Sequence, residues 1–351
     1  MASPHPQRKP SAWMFTYLWL VLLPSPSTVC AVGAVNEGEP EKSSTIEGQV
    51  ATCSAPHAET PKPATLKGSI SQANPTFELV CKGENSNAVP SELANVCKQT
   101  TEPSARQLSS ANTTSLSKCS EDAKQQCALS TLLFPGAKAA WTAATSETRD
   151  GVTQKKFQVT IPREEFPLVD QQFLVGCMEK SKPQSSCQVN ITVNARASEV
   201  SADNVVTCAY GKDSNKAPVA VTLTPEKNSF TLKCGSEGAR IPTEKQEYCS
   251  GTSIDGCSAK QLTSLIPKAE ASWWTESDGQ KTVQFTIPTD KFPSSDTVFL
   301  VGCKTAEKEK DATSCNVNVT VRSSAVSSFR KNAFSLGAIT AVVLTVSCGL
   351  L

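Results

Sequence analysis

The segment QVTIPREEFPLVDQQFLVGC (158–177) returns 126 residues later as QFTIPTDKFPSSDTVFLVGC (284–303), identical at 12 of 20 positions without a gap. A chain that carries one unit twice folds as two copies of one domain, so this repeat limits the architecture more than any other feature. The cysteines repeat with it. The second copy has Cys208, Cys234, Cys249, Cys257, Cys303 and Cys315; the first has Cys53, Cys81, Cys97, Cys127, Cys177 and Cys187, with Cys119 over. PSELANVC, ending at Cys97, matches PTEKQEYC, ending at Cys249. Cys127 and Cys257 each precede a Pro-to-Trp stretch that ends at Trp141 or Trp273, which makes Cys119 the extra residue. The repeats are expected over 50–195 and 203–323, joined by a small, polar linker at 196–202.

The two ends place these domains outside a cell. Arg8 and Lys9 precede the apolar run MFTYLWLVLL and a small-residue stretch, the order of a secretory signal peptide over 1–31. Ten apolar residues fall short of the roughly 20 that span a bilayer. At the other end RSSAVSS, a short polar spacer and an apolar tail form the pattern of a glycosylphosphatidylinositol (GPI) anchor signal over 324–351, with Ser323, Ser324 or Ser327 as the attachment residue. A tail-anchored span is the alternative, although no basic stop-transfer residue follows it. With Cys30 and Cys348 set aside, 13 of the 15 cysteines remain, and in an oxidising compartment they read as disulfides.

Period-two alternation identifies the elements. Phe157, Val159 and Ile161 alternate with Gln158 and Thr160, as Val283, Phe285 and Ile287 do in the second copy, and CQVNITV and CNVNVTV alternate as cleanly. These are half-buried strands; Asp-Gly turns precede the first of them, and Pro162 and Pro288 end it. Many short strands and no long helical period predict an all-β chain, with one β-sandwich per copy. The alternation turns Cys177 and Cys187 inward, where they can staple sheet to sheet. It turns Asn190 and Asn318 outward, and both are candidate N-glycosylation acceptors, as is Asn112.

Little here suggests catalysis. Once His5 leaves with the signal, His57 is the one remaining histidine, so a Ser-His or Cys-His site has at most one candidate base. No CxxC or HExxH occurs, and the cysteine spacings suit bridges better than zinc. A copper site would need two histidines, and the mature chain has one histidine and one methionine, Met178. Glu164-Glu165 reads as a solvated turn. No enzyme activity, cofactor or metal is expected, and a net charge near zero suggests no nucleic-acid partner.

Two six-cysteine β domains, a P-[ST]-E before the third cysteine, a Pro-to-Trp segment after the fourth, FLVGC at the fifth and C-x-V-N-[IV]-T-V at the sixth resemble the SRS superfamily. These are the GPI-anchored surface antigens of Toxoplasma and related coccidian parasites. The resemblance implies a sandwich of cupredoxin-like topology with bridges joining first to sixth, second to fifth and third to fourth cysteines. Carried over, it pairs Cys53-Cys187, Cys81-Cys177 and Cys97-Cys127, then Cys208-Cys315, Cys234-Cys303 and Cys249-Cys257. The sequence alone does not choose among the fifteen pairings that six cysteines allow. Cys119 stands eight residues before Cys127, the interval from Cys249 to Cys257, which leaves the third bridge of the first copy open.

The family resemblance implies two functions: an adhesin that contacts host-cell surface glycans or proteins, or an antigenic coat component displayed to host antibodies. A generic immunoglobulin-like receptor does not fit, because that fold carries one bridge per sandwich. Arg149, Lys155 and Lys156 flank the Asp-Gly turn of the first copy and form a candidate cationic contact for sulfated or sialylated glycans. An unpaired Cys119 would be capped or would link a homodimer.

Overall fold

The structure, a computed structural model, describes residues 44–54, 64–92, 94–99, 115–149, 151–179, 185–277, 281–305 and 311–324. The first repeat runs β1 (Thr45–Glu47), β2 (Val50–Cys53), β3 (Ala64–Ile70), β4 (Thr76–Lys82), β5 (Ser86–Val89), β6 (Asn95–Lys98), α1 (Leu116–Glu121), β7 (Gln126–Ala128), β8 (Thr142–Arg149), β9 (Val152–Thr160), β10 (Gln171–Glu179) and β11 (Ser185–Val193). The second runs β12 (Glu199–Val200), β13 (Val205–Thr207), β14 (Val219–Leu223), β15 (Ser229–Lys233), β16 (Gly238–Ile241), β17 (Glu247–Ser250), β18 (Ser258–Gln261), β19 (Trp274–Ser277), β20 (Thr282–Thr286), β21 (Thr297–Thr305) and β22 (Cys315–Val321).

Each repeat is a two-sheet sandwich. The first has sheets β1-β2-β4-β9-β8 and β3-β11-β10-β6-β7, with β5 also on β10; adding eleven to each number gives the sheets of the second. The pairs β2/β4 and β3/β11 are parallel, like their counterparts β13/β15 and β14/β22, and the others are antiparallel. That mixture sets the fold apart from an immunoglobulin sandwich, whose sheets are antiparallel.

Alternation is realised where it is clean. Along β11, Cys187, Val189, Ile191 and Val193 are buried, while Asn190 and Thr192 are half-buried on the other face. The FLVGC run does not alternate, and here β10 and β21 are buried on both faces. Phe173, Val175 and Cys177 join the inter-sheet core. Leu174 faces outward into a small second cluster with Val89, Cys97, Leu116 and Cys119. In the second repeat Leu300 does the same with Cys249 and Ile254. An unbroken apolar run is the signature of a strand covered on both sides.

The small, polar segment between the repeats is ordered. Arg196 is buried, and Glu199–Val200 forms β12, the first edge strand of the second repeat. Ala195 Cβ would stand only 2.5 Å from a Cβ added to Gly211, so low side-chain volume here serves packing.

Candidate functional site

The bridges organise the rest of the surface. Cys53 on β2 joins Cys187 on β11, and Cys81 on β4 joins Cys177 on β10, each crossing from sheet to sheet. Cys53 stands beside Cys81 in the parallel ladder, and Cys177 stands opposite Cys187, so the two cystines lie side by side. Cys208–Cys315, Cys234–Cys303 and Cys249–Cys257 form in the second repeat.

The third bridge of the first repeat is Cys97–Cys119, where the family pattern implies Cys97-Cys127 with Cys119 unpaired. Strand pairing explains the correction. On β6 and β7, Cys97 stands opposite Gln126 and Val96 opposite Cys127. Directly opposed residues share a face, and successive residues alternate faces, so Cys97 and Cys127 point to opposite sides of the sheet. Cys97 meets α1 on the outer side, whereas Cys127 packs against the inter-sheet core. In the second repeat Lys260 stands opposite Tyr248, where the first has Cys127 opposite Val96, so Cys127 has no cysteine counterpart and Cys119 takes the place of Cys257. Aligning Leu129 with Leu262, each of which opens a 3-10 turn after the strand, would have shown this from sequence. Cys119 is fully buried and bonded, so it cannot link two chains. Among the described residues the thiol left over is Cys127; burial pushes its pKa up, against smaller opposing effects of Thr131 and Lys98, and holds it in the less reactive protonated form.

The expected cationic cluster is also divided. Lys155 and Lys156 are successive residues of β9 and therefore leave it on opposite faces. The Lys155 ammonium donates to Asn87 Oδ1 at 2.9 Å and to the Glu84 carbonyl at 3.3 Å. Lys156 pairs with Glu147 at 3.3 Å. Arg149 ends β8, and its side chain lies outside the described residues.

Other expected positions vary. Asn190 and Asn318 sit mid-strand on the outer faces, opposite Leu174 and Leu300. Asn112, His57 and Ser327 lie outside the described residues. Ser323 is buried, with its amide donating to Asp296 Oδ1 at 2.8 Å, while Ser324 is exposed. Glu165 is a structural acceptor rather than a free turn residue: its Oε2 takes the amides of Lys138 and Ala139 at 3.0 and 2.9 Å. Ser323 NH, with Arg322, holds the Asp296 carboxyl below the usual range, and Lys304 and Ser314 do the same for Asp255.

Sequence reading gives no sign of a buried arginine. Arg240 on β16 is fully buried and stacks over the Trp274 ring, 4.6 Å from its centroid. Its Nη2 donates to the Thr243 carbonyl at 2.8 Å, and Nε and Nη1 have no partner among the described residues. Burial lowers its pKa, while Glu276, Glu244 and Glu247 oppose that shift. The three glutamates line an open groove of about 490 Å3 beside it. Ala88 holds the equivalent place in the first repeat, opposite Cys177 as Arg240 is opposite Cys303. There the structure leaves an apolar slot of about 10 Å3, room for about one water, among Leu79, Val89, Trp141 and Val175. Among the described residues no group of three or more metal-ligating side chains converges, and no helix is long and apolar enough to cross a membrane.

The family profile of the SRS domain matches residues 49–193 and 204–321, the two sandwiches. The bradyzoite-specific antigen BSR4 of Toxoplasma gondii superposes with a TM-score of 0.65 at 30% identity, covering 80% of this chain and 97% of BSR4. SporoSAG of the same organism is a weaker match, with a TM-score of 0.30 at 16% identity over 78% of this chain and 99% of its own. Among curated proteins no sequence match reaches significance. The paired profile match, the strand-for-strand repetition and the similarity to BSR4 lead to one conclusion: the chain belongs to the SRS-domain family of surface antigens.

Proposed function

We propose that this surface antigen is held on the outer leaflet by a GPI anchor and attaches its cell to host-cell glycans or proteins. Family membership is the observation that carries the reading. The pattern of small residues, spacer and apolar tail from Arg322 to Leu351 supports the anchor, and buried Ser323 favours Ser324 or Ser327 as the attachment residue. Six bridges suit a protein that works in an oxidising medium.

Binding of residues 44–324 to host cells and to a glycan array tests adhesion: saturable binding, abolished by a few surface substitutions, is the expected result. Phosphatidylinositol-specific phospholipase should release the protein from intact cells; retention under conditions that release a control anchored protein would defeat the anchor. One observation favours the second reading, a coat component displayed to host antibodies. Lys155 and Lys156 leave β9 on opposite faces, Lys155 bonded to Asn87 and Lys156 paired with Glu147, so these two ammoniums do not form one patch. Absence of saturable binding to any host surface would support that reading.

A further inference from the structure

The loop before β10 is the place where the two repeats differ in a way their own folds do not require. The first repeat reads FPLVD (166–170) and the second FPSSD (292–296). Both aspartates do the same local work: Asp170 Oδ1 accepts the Ala195 amide at 2.7 Å, as Asp296 Oδ1 accepts that of Ser323. The two residues before them diverge. Ser294 and Ser295 are exposed, whereas Leu168 and Val169 are buried in the core of the second repeat, in one cluster with Val206, Tyr210, Phe230 and Leu232. The loop is apolar where it enters the second repeat, and its counterpart in the second repeat is polar.

Hydrogen bonds hold this insertion. The Leu168 carbonyl accepts the Tyr210 amide at 2.6 Å, and Tyr210 Oη donates to the Cys234 carbonyl at 2.7 Å. Asp170 Oδ2 takes the Lys212 amide at 3.1 Å. Arg196 donates its amide to the Pro167 carbonyl at 2.9 Å, accepts from Ser214 Oγ at 2.7 Å, lies over the Phe134 ring and pairs with Glu199. The second repeat leaves space for the loop by lacking side chains: a Cβ on Gly211 would stand 2.4 Å from Asp170 Oδ1, and one on Gly235 would stand 2.4 Å from Leu168 Cδ1.

We infer that Leu168 and Val169 form a plug that completes the second repeat's core and locks the tandem into one rigid body. Domains that swivel meet through modest polar surfaces and flexible linkers; here an apolar core runs across the boundary and the connecting segment is bonded on both sides.

Hydrogen exchange on the full mature ectodomain tests this. Leu168→Ser/Val169→Ser gives the first loop a sequence that the same scaffold already accepts at 294–295. Amides of β13 and β15 should then exchange faster by about tenfold or more while those of β9 and β10 keep their protection. Gly211→Val, made on the other side of the contact, should reproduce the effect and broaden the distance distribution in solution scattering. If the double variant is not secreted, Gly211→Val decides by the same readout. Unchanged exchange in the second repeat, or equal loss in both repeats, would overturn the inference.

Discussion

The two repeats share one topology but cover it differently. On the outer face of the second sheet, the first repeat lays down α1 through a bridge that spans 22 residues, whereas the second uses a hairpin loop of 8. At the open edge of the sandwich the first places Ala88 near Trp141, and the second stacks Arg240 on Trp274. Strand register makes Trp274, one residue past the Trp273 that the sequence repeat aligns with Trp141, the structural counterpart of Trp141: Thr142 stands opposite Gln158 as Thr275 stands opposite Gln284. Each tryptophan meets a phenylalanine edge-on, Phe77 to Trp141 at 6.5 Å and Phe230 to Trp274 at 5.9 Å. The inter-sheet cystines and the aromatic pair are thus the common frame, and the parts that vary are those that close its outer face and its edge.

Among the features that differ between the repeats, the largest effects should come from the third bridges. Cys119→Ser should cost about 3.4 kcal/mol and Cys257→Ser about 2.5 kcal/mol, because the longer loop loses more closure entropy when the chain is cross-linked. Cys127→Ser should cost little and leave the migration of the non-reduced protein unchanged. Chemical unfolding of the three variants checks this; a severe loss for Cys127→Ser with none for Cys119→Ser would reverse the assignment.

The edge contrast gives a smaller effect. Arg240→Ala removes the stem that packs on Trp274 and should destabilise the second repeat by about 2 to 3 kcal/mol. Arg240→Met keeps most of the volume and removes a poorly satisfied buried charge, so it should stay within about 1 kcal/mol of wild type. If both substitutions are equally damaging, the charge rather than the packing is what the site needs. In the first repeat, Ala88→Val should fill the slot and raise stability by about 0.5 kcal/mol, read as a higher unfolding midpoint.

The smallest effect concerns pH. Asp255 is held below its ordinary pKa by Lys304 at 2.6 Å and Ser314 at 2.8 Å. A depressed carboxyl contributes stability above its unfolded pKa, and that contribution is lost as pH falls through the folded value. The pair is half exposed, so Asp255→Asn should cost less than about 1 kcal/mol at pH 7, and the difference from wild type should vanish in strong acid. A difference that persists at low pH would point to lost packing.

Period-two alternation tells which residues share a face, and residue order alone was enough to place Cys177, Cys187, Val189 and Ile191 inward and Asn190 outward. Twelve identities at a shift of 126 were enough to establish two copies of one domain. Alternation does not say what lies on each face, and that is where tertiary structure decided. The Cys97 sulfur finds Cys119 because α1 folds over the outer side of β6, and the chain between those cysteines has no periodicity that foretells the contact. Lys155 and Lys156 look like one cluster in a string of letters, but a pleated strand sends neighbours apart. Arg240 reads as a surface residue until Trp274, from the other sheet, covers it. Leu168 and Val169 read as loop residues because the core they enter belongs to a different repeat, and burial against a partner far along the chain leaves no local pattern.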